Sequence, residues 1–382
     1  MPKPRVLVVF GGASPEHGVS CLTASGVLAA IDPARYEVAL VGIARDGRWV
    51  LADEAEVRAY RARPAGLPGV DASRPAVPGG LPEVDGSGPP ALLYRDGATA
   101  VVGRLDGAAI RDRVTVDVAL ALLHGPFGED GTIQGLFEML GLRYVGAGVL
   151  ASAACMDKIT MNRVLQAAGL PVGAFVGLES TDWETDREGC LARCGGLGYP
   201  VFVKPARGGS SLGIRRVDEA SGLAGAIEEA RRFDPKVIVE QGVTDMREVE
   251  CGVLIDRRNG GPVTSVPGEI QVRAAGRFYD FDLKYFADGA VDLVVPAPLE
   301  PAVVAEIQRL AAAACQALDI EGLARVDTFV TGDGVLISEV NTMPGFTPTS
   351  LFPLMWQASG VDYPALVGRL LDEALTRPLG LR

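Results

Sequence analysis

Short apolar runs and helically spaced segments alternate along most of this chain. RVLVVF (5–10) is nearly all apolar, as a parallel strand covered on both faces requires. VSCLTASGVLAAI (19–31) has helical spacing and YEVALVGIA (36–44) reads as the next strand, so the start of the chain predicts a βαβ unit. DVALALLH (117–124) resumes the sheet. IQGLFEMLGL (133–142) predicts a helix that stops at glycine, and YVG (144–146) a last short strand. Thirteen of the twenty-nine residues from Ala62 to Pro90 are proline or glycine. Neither a helix nor a central strand tolerates that density, so a surface insertion is expected there.

Beyond residue 146 the pattern continues with a helix expected from about Ala151 to Ala168. VFVKP (201–205) and VIVEQ (237–241) predict strands flanking the helical stretch DEASGLAGAIEEA (218–230). ECGVLID (250–256), EIQVR (269–273) and a long helix, PAVVAEIQRLAAAACQALDI (301–320), come next. The strand pair ARVDTFV (324–330) and VLISEVN (335–341) closes the run. The fold class is therefore α/β, of the α+β kind after a parallel N-terminal sheet. The expected divisions are 1–146 with an insertion at about 62–90, a small central unit 147–242, and a C-terminal unit 243–382.

Composition narrows the function. At 382 residues, 48% apolar and 22% charged, the chain has material for more than one core. A formal charge of −12 gives no basic footprint for nucleic acid, so no nucleic-acid partner is expected. No run of about 18 uncharged apolar residues suggests a membrane span. The opening MPKPRVLVVFGG has neither the apolar core nor the cleavage site of a signal peptide, so a cytoplasmic location is expected. The six cysteines (21, 155, 190, 194, 251 and 315) have no histidine near the one close pair and read as reduced structural thiols.

Two stretches carry candidate chemistry. In FVKPARGGSSLGI (202–214) a strand lysine, Lys204, precedes a glycine–serine loop. A Walker A loop places its lysine after the glycines, and a dinucleotide fingerprint needs a different glycine spacing, so neither applies. Lys204 would offer an ammonium to phosphate, Gly208 and Gly209 would let backbone N–H groups approach it, and Ser210 and Ser211 would add hydroxyl donors. A solvated strand end is the plainer alternative. In LARVDTFVTGDGVLISEVNTMPG (323–345), a loop of Gly332-Asp333-Gly334 sets Asp327 opposite Glu339 and Arg325 opposite Asn341. Period-two alternation then gathers all four on one face, with opposed Cβ atoms about 4.5–5.5 Å apart. Clustered carboxylates repel unless a cation joins them, and Mg²⁺ takes hard oxygen ligands together with phosphate and water.

These stretches, with GGASPEHGVS (11–20), HGPFGEDGTIQG (124–135), MDK (156–158), YDFDLKY (279–285) and EVNTMPGFTPTS (339–350), resemble the D-alanine–D-alanine ligases of the ATP-grasp family. The resemblance covers nearly the whole chain apart from a stretch around 50–115. It implies an ATP-grasp fold behind a Rossmann-like N-terminal domain. It also implies ATP-dependent joining of two D-alanines through a D-alanyl phosphate, for peptidoglycan precursors. Ligases that take D-lactate or D-serine second, or another ATP-grasp carboxylate–amine ligase, are the alternatives. By the same resemblance Lys158, Lys204 and Lys284 bind ATP phosphates, Glu240 takes the adenine amino group beside backbone groups of Gln241 and Val243, and Glu248 accepts the ribose hydroxyls. Asp327, Glu339 and Asn341 hold two Mg²⁺ ions, or Mn²⁺, and Arg325 with the Gly345 N–H stabilises the oxyanion.

For the substrate, the resemblance gives Glu16 the first D-alanine's ammonium, sets His124 near the reacting carboxylate, and assigns the second carboxylate to Ser350 and Leu351. Thr349 or Ser350 would also cap a helix starting at LFPLMW, and helix N-termini bind anions. Tyr285, with Ser210 and Glu16, ties a flap over the site, and the pair Lys284-Tyr285 favours an amine as second substrate. A helix N-terminus is the plainer alternative for Glu16, and the end of a strand for His124. A homodimer is implied by the family alone.

Overall fold

The computed structural model describes residues 2–60, 80–209, 212–256, 260–272 and 291–380. The expected βαβ start is present. β1 (Arg5–Gly11) and β2 (Glu37–Ile43) pair in parallel, with Val8 opposite Leu40, around α1 (His17–Ala30). β3 (Trp49–Leu51) joins the edge of β2 antiparallel, and a short helix, α2 (Glu54–Arg58), follows. β4 (Ala91–Asp96), β5 (Thr99–Asp106) and β6 (Ala109–Val116) form a separate antiparallel sheet that the apolar pattern did not predict. Its Ala100, Val102 and Val116 pack in one core with Leu7 and Val9, so this small sheet covers part of the first.

β7 (Val118–Ala121) lies parallel beside β1, and β8 (Arg143–Tyr144) beside β7, with α3 (Thr132–Leu140) between them. α3 stops as expected at a glycine, Gly141, whose φ of 63° is left-handed. The expectation of a surface insertion is corrected at its C-terminal end. Val84 is only 8% exposed and sits in the core with Phe10, against Gly11 and Gly42, which have no side chains to exclude it. Residues 61–79 lie outside the described residues.

The helix expected from 151 to 168 is two helices, α4 (Val149–Met156) and α5 (Lys158–Ala167). Asp157 breaks them with an extended backbone, and its carboxylate accepts from Ile159 N and Thr160 N at 3.1 and 3.0 Å. Apolar spacing runs through such a break unaltered, because the N-cap residue starts a new helix without changing which residues are apolar. β9 (Phe175–Leu178), α6 (Asp182–Thr185), α7 (Arg187–Gly195), β10 (Val201–Pro205), β11 (Arg215–Val217), α8 (Ala220–Ala230) and β12 (Val237–Gln241) follow. Their strands make an antiparallel sheet in the order β11-β10-β12-β9.

A larger sheet holds β13 (Arg247–Asp256), β14 (Gly261–Thr264), β15 (Gly268–Val272), β16 (Val291–Val294), β17 (Leu323–Thr331) and β18 (Gly334–Asn341). α9 (Pro301–Ala317) packs Ile307, Leu310 and Ala314 in the same core as Val253, Val326 and Ile337. The chain then returns to its beginning. α10 (Leu351–Ala358) and α11 (Tyr363–Thr376) place Phe352, Trp356, Leu366 and Leu370 in one core with Val6, Val8 and Phe10.

The β17–β18 hairpin has the expected pairing by a different route. Its turn is two residues long, Gly332-Asp333, because Thr331 already pairs with Gly334. An extra residue, Ser338, is inserted as a bulge between the pairs Thr328–Ile337 and Asp327–Glu339. The shorter turn and the bulge cancel, and Arg325 stands opposite Asn341. The bulge also lets residues two apart part company: Ile337 enters the core while Glu339 faces the cavity described below. All six cysteines are free and buried. No helix among the described residues is long and apolar enough to cross a membrane.

Candidate active site

The sheet of β9–β12, the sheet of β13–β18 and the loops after β1 and β7 surround a cavity of about 230 Å³. Strand alternation decides what faces it. On β10, Val201 and Val203 are fully buried among α7 and α8, so Phe202 and Lys204 turn to the cavity. Glu240 on β12 pairs with Phe202 and is therefore the diagonal neighbour of Lys204, whose Nζ lies 2.5 Å from its carboxylate. Burial alone would lower the Lys204 pKa, but the carboxylates of Glu240, Glu339 and Glu248 outweigh it and raise it. The ammonium is thus charged and aimed inward. A small hollow of about 30 Å³ continues past Glu240, Gln241 and Val243 towards Asn162 and Phe329.

The opposite wall is the face of the large sheet. Glu250 on β13 stands opposite Asp327 on β17, and Asp327 opposite Glu339 on β18, so three carboxylates form a row across three strands. Cations inside the protein hold this row. Arg325 grips Asp327 with two bonds of 2.6 Å and places Nε 3.0 Å from Glu250. Asn341 donates to Asp327 at 3.0 Å. Lys158, the first residue of α5, lies 2.8 Å from Glu339 and donates to Gly208 O at 2.9 Å. The Asp157 cap thus aims a lysine that ties the glycine loop to the acidic floor. Burial would raise the Glu339 pKa, yet Lys158, Lys204 and Arg325 bring it down to about 2. Glu248 has less help: burial and Asp327 push it up to about 7, against the opposing pull of Lys204.

The third side comes from the first sheet. Glu16, 8% exposed, occupies the N-cap position of α1 without a side-chain capping bond. Its Oε2 is 3.8 Å from where a Cβ on Gly125 or Gly209 would stand, so it faces both the loop after β7 and the glycine loop after β10. His124 Nδ1 is 3.2 Å from Met343 O. Gly345 lines the cavity as well.

The cavity therefore unites Glu16, His124, Lys158, Lys204, Glu240, Gln241, Val243, Glu248, Arg325, Asp327, Glu339, Asn341 and Gly345. It does not include Ser350 and Leu351. Ser350 takes the N-cap position of α10, as expected, but makes no capping bond. Its Oγ accepts from Thr347 N at 3.1 Å. It borders the site at Gly345, where a Cβ would come 3.3 Å from that oxygen. Leu351 is buried against Gly268, where a packed apolar side chain has no path to a carboxylate. Ser210, Ser211, Lys284 and Tyr285 lie outside the described residues.

Two acids escaped the sequence reading. Glu250 looked like one polar position in an apolar strand, and only the β13–β17 pairing brings it to Arg325. Glu129 sits inside HGPFGEDG, where an acid among glycines was the available signal. Its carboxylate accepts from Gly125 N at 2.6 Å and Met343 N at 3.3 Å, joining two loops. Burial and the charge of Glu16 push its pKa up to about 8, against those two bonds.

The oxygen set suits a hard divalent cation. Among the described residues no three His, Cys, Asp or Glu side chains converge into a cage by themselves. Mg²⁺ does not require one, since it takes one or two carboxylates and completes its shell with water and phosphate. Asp327, Glu339 and the Asn341 amide oxygen fit that requirement, with Lys158 already on Glu339 and Lys204 lining the same cavity.

Comparison with known proteins agrees with this geometry. Residues 5–147 match the family model described as D-ala D-ala ligase N-terminus, and residues 164–372 the one described as D-ala D-ala ligase C-terminus. A D-alanine--D-alanine ligase of Kineococcus radiotolerans is 52% identical, over 100% of this chain and 99% of the relative. One of Pseudarthrobacter chlorophenolicus is 48% identical, over 100% and 96%. Among solved structures, the VanG D-Ala:D-Ser ligase from Enterococcus faecalis superposes with a TM-score of 0.80 at 29% identity, covering 98% of this chain and all of that one. The D-alanine-D-alanine ligase from Coxiella burnetii does so at 0.76 and 30% identity, covering 98% and 94%.

Proposed function

Since the chain belongs to the D-alanine–D-alanine ligase family and has the ATP-grasp fold, we propose that it joins two D-alanines at the expense of ATP, for peptidoglycan precursors. The observation that carries this reading is the pairing of the two cavity walls: ammonium groups of Lys158 and Lys204 on one side, the acids of β17 and β18 on the other. A polyphosphate fits between such walls, because each wall neutralises a partner the phosphate would exchange for.

In this reading ATP phosphorylates the carboxylate of the first D-alanine and leaves as ADP. The amine of the second attacks the acyl carbon, a tetrahedral oxyanion forms, and phosphate departs as the peptide bond closes. Glu16 binds the first ammonium group and His124 sits by the reacting carboxylate. Lys158 and Lys204 hold phosphate oxygens, which requires Lys158 to loosen from Glu339 and Lys204 from Glu240. Glu240 then accepts from the adenine amino group beside Gln241 and Val243, and Glu248 from the ribose. Arg325 and the Gly345 N–H stabilise the oxyanion. Divalent metal, two Mg²⁺ or Mn²⁺ ions on Asp327, Glu339 and Asn341, would neutralise charge developing on the transferred phosphoryl group. Lys284, Tyr285, Ser210 and Ser211 contribute phosphate contacts and a flap that shields the acyl phosphate from water. Ser350 and Leu351 support the second carboxylate through the backbone at the start of α10, since a helix N-terminus favours anions. The divisions 1–146, 147–242 and 243–382, a cytoplasmic location and a homodimer complete the proposal.

Phosphate release tests it. With MgATP, D-alanine should release phosphate in step with dipeptide, and L-alanine should not. Because one structural relative is a D-Ala:D-Ser ligase, D-serine and D-lactate belong in the same assay beside D-alanine. Release that depends on either of them would move the second-substrate assignment, and no release with any would end the ligase reading.

A further inference from the structure

The end of the proline-rich insertion packs against the loop and helix start that carry Glu16. Val84 lies against β1 and β2, where a Cβ on Gly11 would stand 2.8 Å from Val84 Cγ2 and one on Gly42 2.7 Å from Cγ1. Leu81 covers the first turn of α1, where a Cβ on Gly18 would stand 2.4 Å from Leu81 Cβ. Each distance is inside van der Waals contact, so the segment occupies space that only glycine leaves. His17 is the polar link. Its Nδ1 lies 2.6 Å from Gly12 O, and its Nε2 accepts from Val84 N at 3.0 Å. One neutral tautomer satisfies both partners, with the proton on Nδ1. His17 is fully buried and is the residue directly after Glu16.

We propose that Leu81–Val84 is a buttress for the loop between β1 and α1, and that His17 is a positioning residue which, through it, sets the direction of Glu16. Gly12 N to Ile43 O at 2.7 Å and Gly11 N to Ser20 Oγ at 2.8 Å also fix the loop, before the turn that presents Glu16. Within the turn, Glu16 N donates to Ser14 Oγ at 3.2 Å, His17 N to Ser14 O at 3.1 Å and Ser20 N to Glu16 O at 2.9 Å. The His17 ring adds the tie from the start of that turn to the insertion. The inference rests on the reading that Glu16 binds the first substrate's ammonium group.

The test is steady-state kinetics of the full chain, with D-alanine and ATP varied separately. Gly18→Ala pushes Leu81 outward without removing a polar group, and His17→Ala removes both hydrogen bonds. Each should raise the KM for the first D-alanine by roughly tenfold, the scale of one misplaced hydrogen bond, and change the ATP KM less than about twofold. His17→Gln, which keeps a donor and an acceptor, should recover most of that loss. Unchanged D-alanine KM in Gly18→Ala and His17→Ala, beside a raised value in Glu16→Gln, would overturn this inference alone. An unchanged value in Glu16→Gln overturns the Glu16 reading and this inference with it. Parallel rises in both KM values would reduce the buttress to general stability and overturn it too.

Discussion

Replacing Arg325 by methionine isolates the electrostatics of the sheet floor. The Arg325 side chain is 9% exposed, Glu250 8% and Asp327 20%. Arg325→Met keeps most of the volume and leaves two opposed carboxylates, with Glu339 next in the row. Removing one partner of a buried ion pair costs about 3–5 kcal/mol, and the partial exposure of Asp327 argues for the lower end, ~3 kcal/mol. At roughly 2–4 °C per kcal/mol for long domains, the thermal midpoint should fall by about 6–12 °C near pH 8. The sign of the pH effect follows. Without the guanidinium, repulsion and burial raise the folded-state carboxylate pKa values above their unfolded values, so this penalty grows as pH rises and shrinks as acid supplies a proton. Midpoints of wild type and variant should therefore converge towards about pH 5. Adding Glu250→Gln should recover part of the loss. A midpoint within about 2 °C of wild type, or a gap independent of pH, would refute the reasoning.

Two other outcomes follow from named contacts. Asp157→Ala removes the cap of α5 and the partner 2.7 Å from Lys236, so the midpoint should fall by an amount reflecting ~1–2 kcal/mol. The ATP KM should rise with it as Lys158 loses its fixed origin, and nucleotide titration with thermal melts would show whether the two move together. His17 gives a pH dependence. Burial lowers its pKa and Arg45 adds to that, against the bond to Gly12 and the charge of Glu83. Its contribution is therefore full above the unfolded value of about 6.5 and is lost as pH falls through the depressed folded value. Melts of wild type should decline more steeply below about pH 6.5 than those of His17→Gln; parallel curves would argue against it.

What the sequence disclosed was mostly local. The acids of β17 and β18 were legible because alternation and a short glycine turn fix which residues oppose each other. The turn was nevertheless misjudged by one residue, and Ser338 cancelled the error. A bulge leaves little trace in the apolar pattern, since the strand on both sides of it remains apolar. Lys158 was found, but not the break at Asp157 that aims it. Glu250 was hidden because its meaning depends on β13 lying beside β17, a pairing between segments some seventy residues apart. The docking of Val84 was missed because proline and glycine density signals a loop but is silent about what that loop packs against. At Leu351 the side chain packs against Gly268, a contact that the helical spacing of LFPLMW does not reveal.

The most direct measurement is the Mg²⁺ dependence of ATP binding, by calorimetry, in wild type and Asp327→Asn. If the acids of the hairpin gather divalent metal onto the nucleotide, Mg²⁺ should tighten ATP binding markedly in wild type. It should do so far less in Asp327→Asn, which should also lose dipeptide synthesis while melting within a few degrees of wild type. Equal Mg²⁺ dependence and near-normal synthesis in Asp327→Asn would contradict the account.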